Sequence, residues 1–194
     1  PKRQLFELCG GLIMPLSSIF HLYELKKRRA VQYDKAAHFL MFPDLLNYYL
    51  TGNKLNEYTE ASTSLMANQV EKKWSGDIFK AMGFPSDIFC EIIQQGSIIG
   101  NLQKSIMDEL FVKNIPVVAP ATHDTASAIA GFPIKDKSKN TLLLSMGTWA
   151  ILAQETDSPI INDAMFSAGF ANEAGVEGTN FIVNNITGLW ITQQ

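Results

Sequence analysis

The sequence predicts an α/β fold in which short strands alternate with helices and a ligand site opens at a strand-to-helix turn. Three observations carry that expectation. Residues Ile115 to Ala119, IPVVA, form a short β-branched run of the kind that makes a buried strand. Thr125 to Ala130 then reads as a small-residue helix, closed by Gly131 and Pro133. Across 194 residues, 46% are hydrophobic and 18% charged, enough for one substantial core or for one domain and part of another.

Between that strand and helix lie His123 and Asp124. In open α/β folds ligands bind there, because strand ends and helix N-termini face the same crevice. A carboxylate within hydrogen-bond reach of a bound hydroxyl can take its proton. The residues alone support a second reading equally well, with Asp124 or Thr122 capping the helix by accepting from orphan N–H groups.

The net charge of −3 leaves no electrostatic footprint for nucleic acid or an anionic membrane. The basic cluster Lys26 to Arg29 falls where a helix should end, so it reads as a solvated last turn complementing the helix dipole. No run approaches the ~18 apolar residues that span a bilayer, and no signal-peptide pattern opens the chain. Cys9 and Cys90 sit far apart among apolar residues, which predicts reduced core thiols in a cytoplasmic protein. The chain begins at Pro1 in a passage already turning helical and stops at Gln194 within the apolar pattern Ile186, Leu189, Trp190. That predicts an internal segment of a longer protein.

Taken in order, Pro15 to Arg29 reads as a helix capped by Ser17 or Ser18, with Ile19, Leu22, Tyr23 and Leu25 as its apolar stripe. Pro43–Asp44 opens a second helix that Gly52 stops, and Phe42, Tyr48 and Tyr49 read as core aromatics. Residues 56 to 69 are rich in hydroxyls, with Glu57 and Glu60, and fit either a polar cleft or helix caps. Helices are expected at 77 to 82, 86 to 93 and 105 to 111, with an extended piece between Gly96 and Gly100. The polar turn 134 to 140 reads as a link between domains. Strands at 141 to 146 and 150 to 154 flank SMGTW as a β-hairpin, which is an ordinary turn unless phosphate contacts converge on it. NEAGVEG at 172 to 178 reads as a polar loop, and NNITGLWITQQ from Asn184 as a helix start. No repeat, Walker-type phosphate loop or dinucleotide fingerprint appears.

The run FPDLLNYYLTGNKLNEYTEAST resembles a segment of the FGGY family of carbohydrate kinases. HDTASA, SMGTW, NEAG and NNITGLWITQ then follow in the order seen in the branch of that family acting on L-rhamnulose. The resemblance implies an actin/hexokinase-like (ribonuclease-H-like) two-domain kinase, with sugar and ATP in the cleft between the domains. Residues 1–134 would be the later part of the N-terminal, sugar-binding domain, 135–140 the linker, and 141–194 the start of the C-terminal, ATP-binding domain.

Carried over residue by residue, Asp124 would be the catalytic base and His123 and Asn185 would hold substrate. Gly147, Thr148 and Gln193 would lie at ATP, with Mg²⁺ accompanying the nucleotide. The activity implied is ATP-dependent phosphorylation of a ketose, L-rhamnulose to L-rhamnulose 1-phosphate; an L-fuculose or xylulose kinase and a non-catalytic sugar-binding relative are the alternatives. Phosphoryl transfer chiefly needs alignment, charge neutralisation and a base for the attacking hydroxyl, and these residue types supply the last. The family's first phosphate hairpin and its later adenosine segment are expected outside Pro1 to Gln194, so the segment alone is expected to show no turnover. One departure stands out: Ala174 occupies a position where the branch tends to carry glycine, which would cost about 1 kcal/mol if the backbone there needs a positive φ.

Overall fold

The computed structural model describes residues 2–132, 141–147 and 149–189. Helices Lys2–Cys9 (α1), Ser18–Lys27 (α2), Val31–Asp34 (α3) and Phe42–Thr51 (α4) come first. A two-residue strand, Asn56–Glu57 (β1), runs directly into Tyr58–Thr63 (α5). Ala67–Asn68 (β2) and Lys73–Trp74 (β3) precede Gly76–Met82 (α6), and Ile92–Ile93 (β4) and Ile98–Asn101 (β5) precede Lys104–Leu110 (α7). Pro116–Val118 (β6) leads to Asp124–Ala130 (α8). Leu143–Met146 (β7), Trp149–Thr156 (β8), Asp163–Ser167 (α9), Ala171–Ala174 (β9) and Asn180–Thr187 (β10) complete the described chain.

β7, β8, β10 and β9 form one antiparallel sheet in that order. Residues paired across a sheet share a face, so Phe181 lies with Glu173, Val183 with Ala171 and Asn185 with Ile151. Phe181, Val183, Ala171, Ala153 and Leu143 bury that face against Ile129 of α8. A second core joins α1, α2 and α6 through Cys9, Ile19, Leu22, Ile78 and Phe79. Phe39, Trp74 and Phe89 extend it, with Phe79 stacked on Phe89 at 4.0 Å between ring centroids. α4 ends at Gly52 in the left-handed conformation, as a glycine C-cap should.

Several sequence expectations give way. The strand expected to be buried, β6, pairs only with β5, and Val118 and Ile115 are exposed. Phe42 and Tyr49 are 72% and 60% exposed rather than core, because Asp44, not an aromatic, is the residue that α4 buries. Ser17 stands at the α2 N-cap but its side chain accepts no capping bond. The helix expected over 86 to 93 is a single 3₁₀ turn, Ser86–Ile88, followed by β4. The helix expected from Asn184 is instead the end of β10, where Ile186 and Thr187 pair with Ala150 and Trp149. Alternation along β10 won over a helical reading of the same apolar residues. The expected linker at 135–140 lies outside the described residues. Ala174 is a buried strand residue and is not among the described residues with positive φ, so its replacement of glycine carries no backbone strain.

Buried Asp44 accepts the Glu57 N–H at 3.0 Å through Oδ1, while its Oδ2 finds no donor. Burial, with Glu57 and Glu60 adding repulsion, pushes its carboxyl from 3.8 up to about 7. The folded state therefore binds a proton that the unfolded chain has already released. That stabilisation is complete below the unfolded value and is lost as pH rises through about 7. Thermal midpoints followed across this window should fall with rising pH in the wild type relative to Asp44→Asn, which cannot titrate. Parallel profiles would show that Asp44 is not the group responsible.

Candidate active site

The site is built from Glu57 outward. Its side chain is fully buried at the N-cap of α5 and accepts from the Thr59 N–H (2.9 Å) and the Thr59 hydroxyl. Across the fold it accepts from the Thr122 N–H at 3.0 Å and the Thr122 hydroxyl at 2.9 Å. The Thr59 oxygen in turn accepts the His123 N–H at 3.2 Å. One buried carboxylate thus fixes both the start of α5 and the turn that enters α8. Ser127 closes that turn by donating to the Ala121 carbonyl.

His123 becomes the N-cap residue of α8 without a side-chain capping bond, and Asp124 the first helical residue. Asp124 Oδ1 accepts the N–H of Thr125 at 2.6 Å, yet its side chain is 96% exposed. The cap and the site were posed as alternatives by the sequence. Here one oxygen is engaged at the helix start while the side chain stays almost fully exposed. The His123 imidazole lies between two acids, Nε2 3.6 Å from Asp124 Oδ1 and Nδ1 3.6 Å from Glu173 Oε2. Its Nδ1 is buried and makes no hydrogen bond.

Glu173 reaches this point because β9 is clamped on three sides. The Ala174 N–H donates to the Ser62 hydroxyl, Gln69 donates to the Asn172 carbonyl, and the Asn172 N–H donates to the Gly10 carbonyl. Gly10 has φ +70°, and a Cβ there would meet Ile161 at 3.0 Å and Asn172 at 3.2 Å. Only glycine allows both that conformation and that approach.

His123, Glu60 and Glu173 line a cavity of about 300 Å³ together with Leu12, Met14 and Met41. Burial pushes both Glu60 and Glu173 above the usual carboxylate range; His123 opposes the shift and Asp124 adds to it. A larger cavity of about 430 Å³ between α1, α2 and α6 is lined by Leu5, Leu8, Ile19, Phe20 and Ile78. It brings together none of the acid–base groups that the first one does.

Asn185 sits on β10, with Nδ2 3.6 Å from the Met14 sulfur, and so approaches the cavity rim through Met14. Gly147 is exposed in the β7–β8 turn, and its carbonyl accepts the Leu189 N–H at 2.9 Å. Thr148 and Gln193 lie outside the described residues. Among the described residues no group of three or more His, Cys, Asp or Glu could hold a metal ion. Both cysteines are free thiols. No helix among the described residues is long and apolar enough to cross a membrane. Sequence reasoning singled out neither Glu57 nor Glu173 as a site residue. The sequence reads Glu173 as part of a polar loop, whereas it lies on β9 between the buried Ala171 and Ala174.

The α/β framework thus sets a carboxylate-lined cavity beside a strand-to-helix turn. The chain belongs to the FGGY family of carbohydrate kinases, whose N-terminal domain profile matches residues 2–131. Rhamnulokinases of Oceanobacillus iheyensis and Halalkalibacterium halodurans are each 37% identical over 193 residues, covering 100% of this chain and 40% of theirs. This chain therefore spans about two fifths of the length of the curated relatives it matches. Among solved structures, gluconate kinase from Lactobacillus acidophilus superposes with a TM-score of 0.82 at 15% identity, over 98% of this chain and 38% of that one. Plasmodium falciparum glycerol kinase with ADP gives 0.80 at 15% identity, over 100% and 39%. At that identity the likeness is one of fold.

Glu57→Ala would strand the buried donors of Thr59 and Thr122, at about 1–3 kcal/mol for each one left unpaired. A loss of roughly 3 kcal/mol or more is expected in chemical unfolding. A loss below about 1 kcal/mol would mean the network does not hold the turn.

Proposed function

We propose that this chain carries the sugar-binding side and the catalytic base of an ATP-dependent ketose kinase that converts L-rhamnulose to L-rhamnulose 1-phosphate. The observation that carries the reading is the placement of Asp124. Its carboxylate is anchored through Oδ1 to the start of α8 and is exposed beside His123, which lines the cavity. In the proposed reaction the free oxygen of Asp124 takes the proton of the sugar's terminal hydroxyl as that oxygen attacks the γ-phosphorus of ATP. The hydroxyl becomes acidic only as its bond to phosphorus forms, so the proton passes to Asp124 in that same step. His123 holds a sugar hydroxyl, and Asn185 holds substrate from the β10 side.

In this reading residues 1–134 belong to the sugar-binding domain, 135–140 to the linker and 141–194 to the ATP-binding domain. By the family resemblance Gly147 and Thr148 would offer donors to the nucleotide phosphates, and Gln193 would contact the nucleotide. Mg²⁺ is expected with the nucleotide. The described residues present no ligand set that fits it, so no residue here is assigned to it. The rhamnulokinases at 37% identity support L-rhamnulose as the sugar.

The test is ADP release by the whole protein with L-rhamnulose, L-fuculose, D-xylulose and glycerol, with Asp124→Asn beside the wild type. The expected result is selective turnover of L-rhamnulose, with kcat falling at least about a hundredfold in Asp124→Asn while sugar affinity changes little. Preference for another sugar would overturn the substrate. Retained kcat in the variant would overturn the base.

A further inference from the structure

We propose that Glu60 and Glu173 are the specificity-determining residues of the cavity, reading the hydroxyls of a neutral polyhydroxy sugar and excluding an anionic one. The proposal deepens the sugar-kinase reading and rests on it. The two carboxyls come from separate elements, α5 and β9, and line the same cavity as His123. Their elements are locked together by the Ser62–Ala174 and Gln69–Asn172 hydrogen bonds, at 3.2 and 2.7 Å. This pair is therefore held in a fixed arrangement before any ligand arrives.

No hydrogen bond to either carboxyl group is found among the described residues, and His123 Nδ1, itself without a hydrogen bond, stands 3.6 Å from Glu173 Oε2. A largely buried carboxylate without donors is costly, and a polyol brings several O–H donors that can turn toward it. Hydroxyls placed in this cavity would satisfy both acids and could meet the orphaned imidazole nitrogen. The apolar part of the lining, Leu12, Met14 and Met41, suits the C–H face of a sugar.

The charge of the cavity points the same way. Its lining holds two glutamates and no lysine or arginine, and Asp124 adjoins it. Glu173 already disfavours the charge of Glu60, and Asp124 disfavours the charge of both. A third carboxylate on the ligand would enter that field with no described cation in the lining to receive it, whereas a neutral ketose would not.

The experiment is titration calorimetry on the whole protein with L-rhamnulose as neutral probe and D-gluconate as anionic probe, for wild type, Glu60→Gln, Glu173→Gln and Glu173→Asp. The Gln variants keep size and one acceptor but remove the charge. They should weaken L-rhamnulose binding and shrink the neutral-over-anionic ratio by about tenfold or more, while Glu173→Asp keeps the exclusion of gluconate. If Glu173→Gln fails to fold, Glu60→Gln decides by the same ratio. An unchanged ratio overturns the proposal, as does a wild type that binds neither probe. ADP release is read in parallel. A changed ratio in a wild type that releases no ADP leaves this inference standing and removes the kinase reading, whereas an unchanged ratio with normal turnover does the reverse.

Discussion

A single buried anion organises this structure. The Glu57 carboxylate has no solvent exposure, and burying such a charge is costly unless donors converge on it. Here they converge from two directions: the first turn of α5, and the Thr122 segment 65 residues later in the chain. Because the donors are mostly backbone N–H groups and the hydroxyls of threonines, satisfying the charge also fixes main-chain positions. The α8 entry turn, and with it His123 and Asp124, takes its place from that requirement. Asp44 accepts the Glu57 N–H, and burial, with Glu57 and Glu60 adding repulsion, raises its pKa.

The other wall of the site depends on a different kind of constraint, close backbone approach. β9 can lie against the 10–11 segment only because Gly10 has no side chain to meet Asn172 and Ile161. Asn172 then turns its amide to the Gly10 and Ile160 carbonyls and accepts the Ile160 N–H, so the residue before Glu173 has no freedom to move. Packing on one face of β9 and hydrogen bonding on its edge leave Glu173 one direction, toward His123. Two long-range ties, one electrostatic and one steric, therefore meet at a single imidazole.

The sequence revealed the parts whose signals are local. Gly52, Gly83 and Gly131 ended their helices, the hairpin around Gly147 formed, and the strand-to-helix turn carried His123–Asp124 as its spacing implied. Family motifs then gave the fold class. What stayed hidden was set by distant partners. Phe42 and Tyr49 look like core by composition, but α4 rotates to bury Asp44, whose partner is the Glu57 amide, and composition does not report that. Asn184 to Thr187 has an apolar pattern compatible with either period, and only pairing with β8 makes it a strand. Glu173 could not be distinguished from a loop glutamate, because the residues that bury it, in α5 and at Gly10, lie over a hundred positions earlier.

The acids of the site differ in exposure, and that difference separates what each can do. A base must meet a reacting hydroxyl with an unencumbered oxygen, and of the three acids around His123 it is Asp124 that is almost fully exposed. Glu60 and Glu173 are more buried, and their raised pKa values show that they hold negative charge less readily than free carboxylates. Groups of that kind gain most from donors that a ligand brings, since each hydroxyl accepted offsets desolvation already incurred on folding. Proton transfer in the proposed reaction would then fall to the exposed acid, and recognition to the buried pair. His123 touches both, and its position is fixed by Glu57 through Thr59.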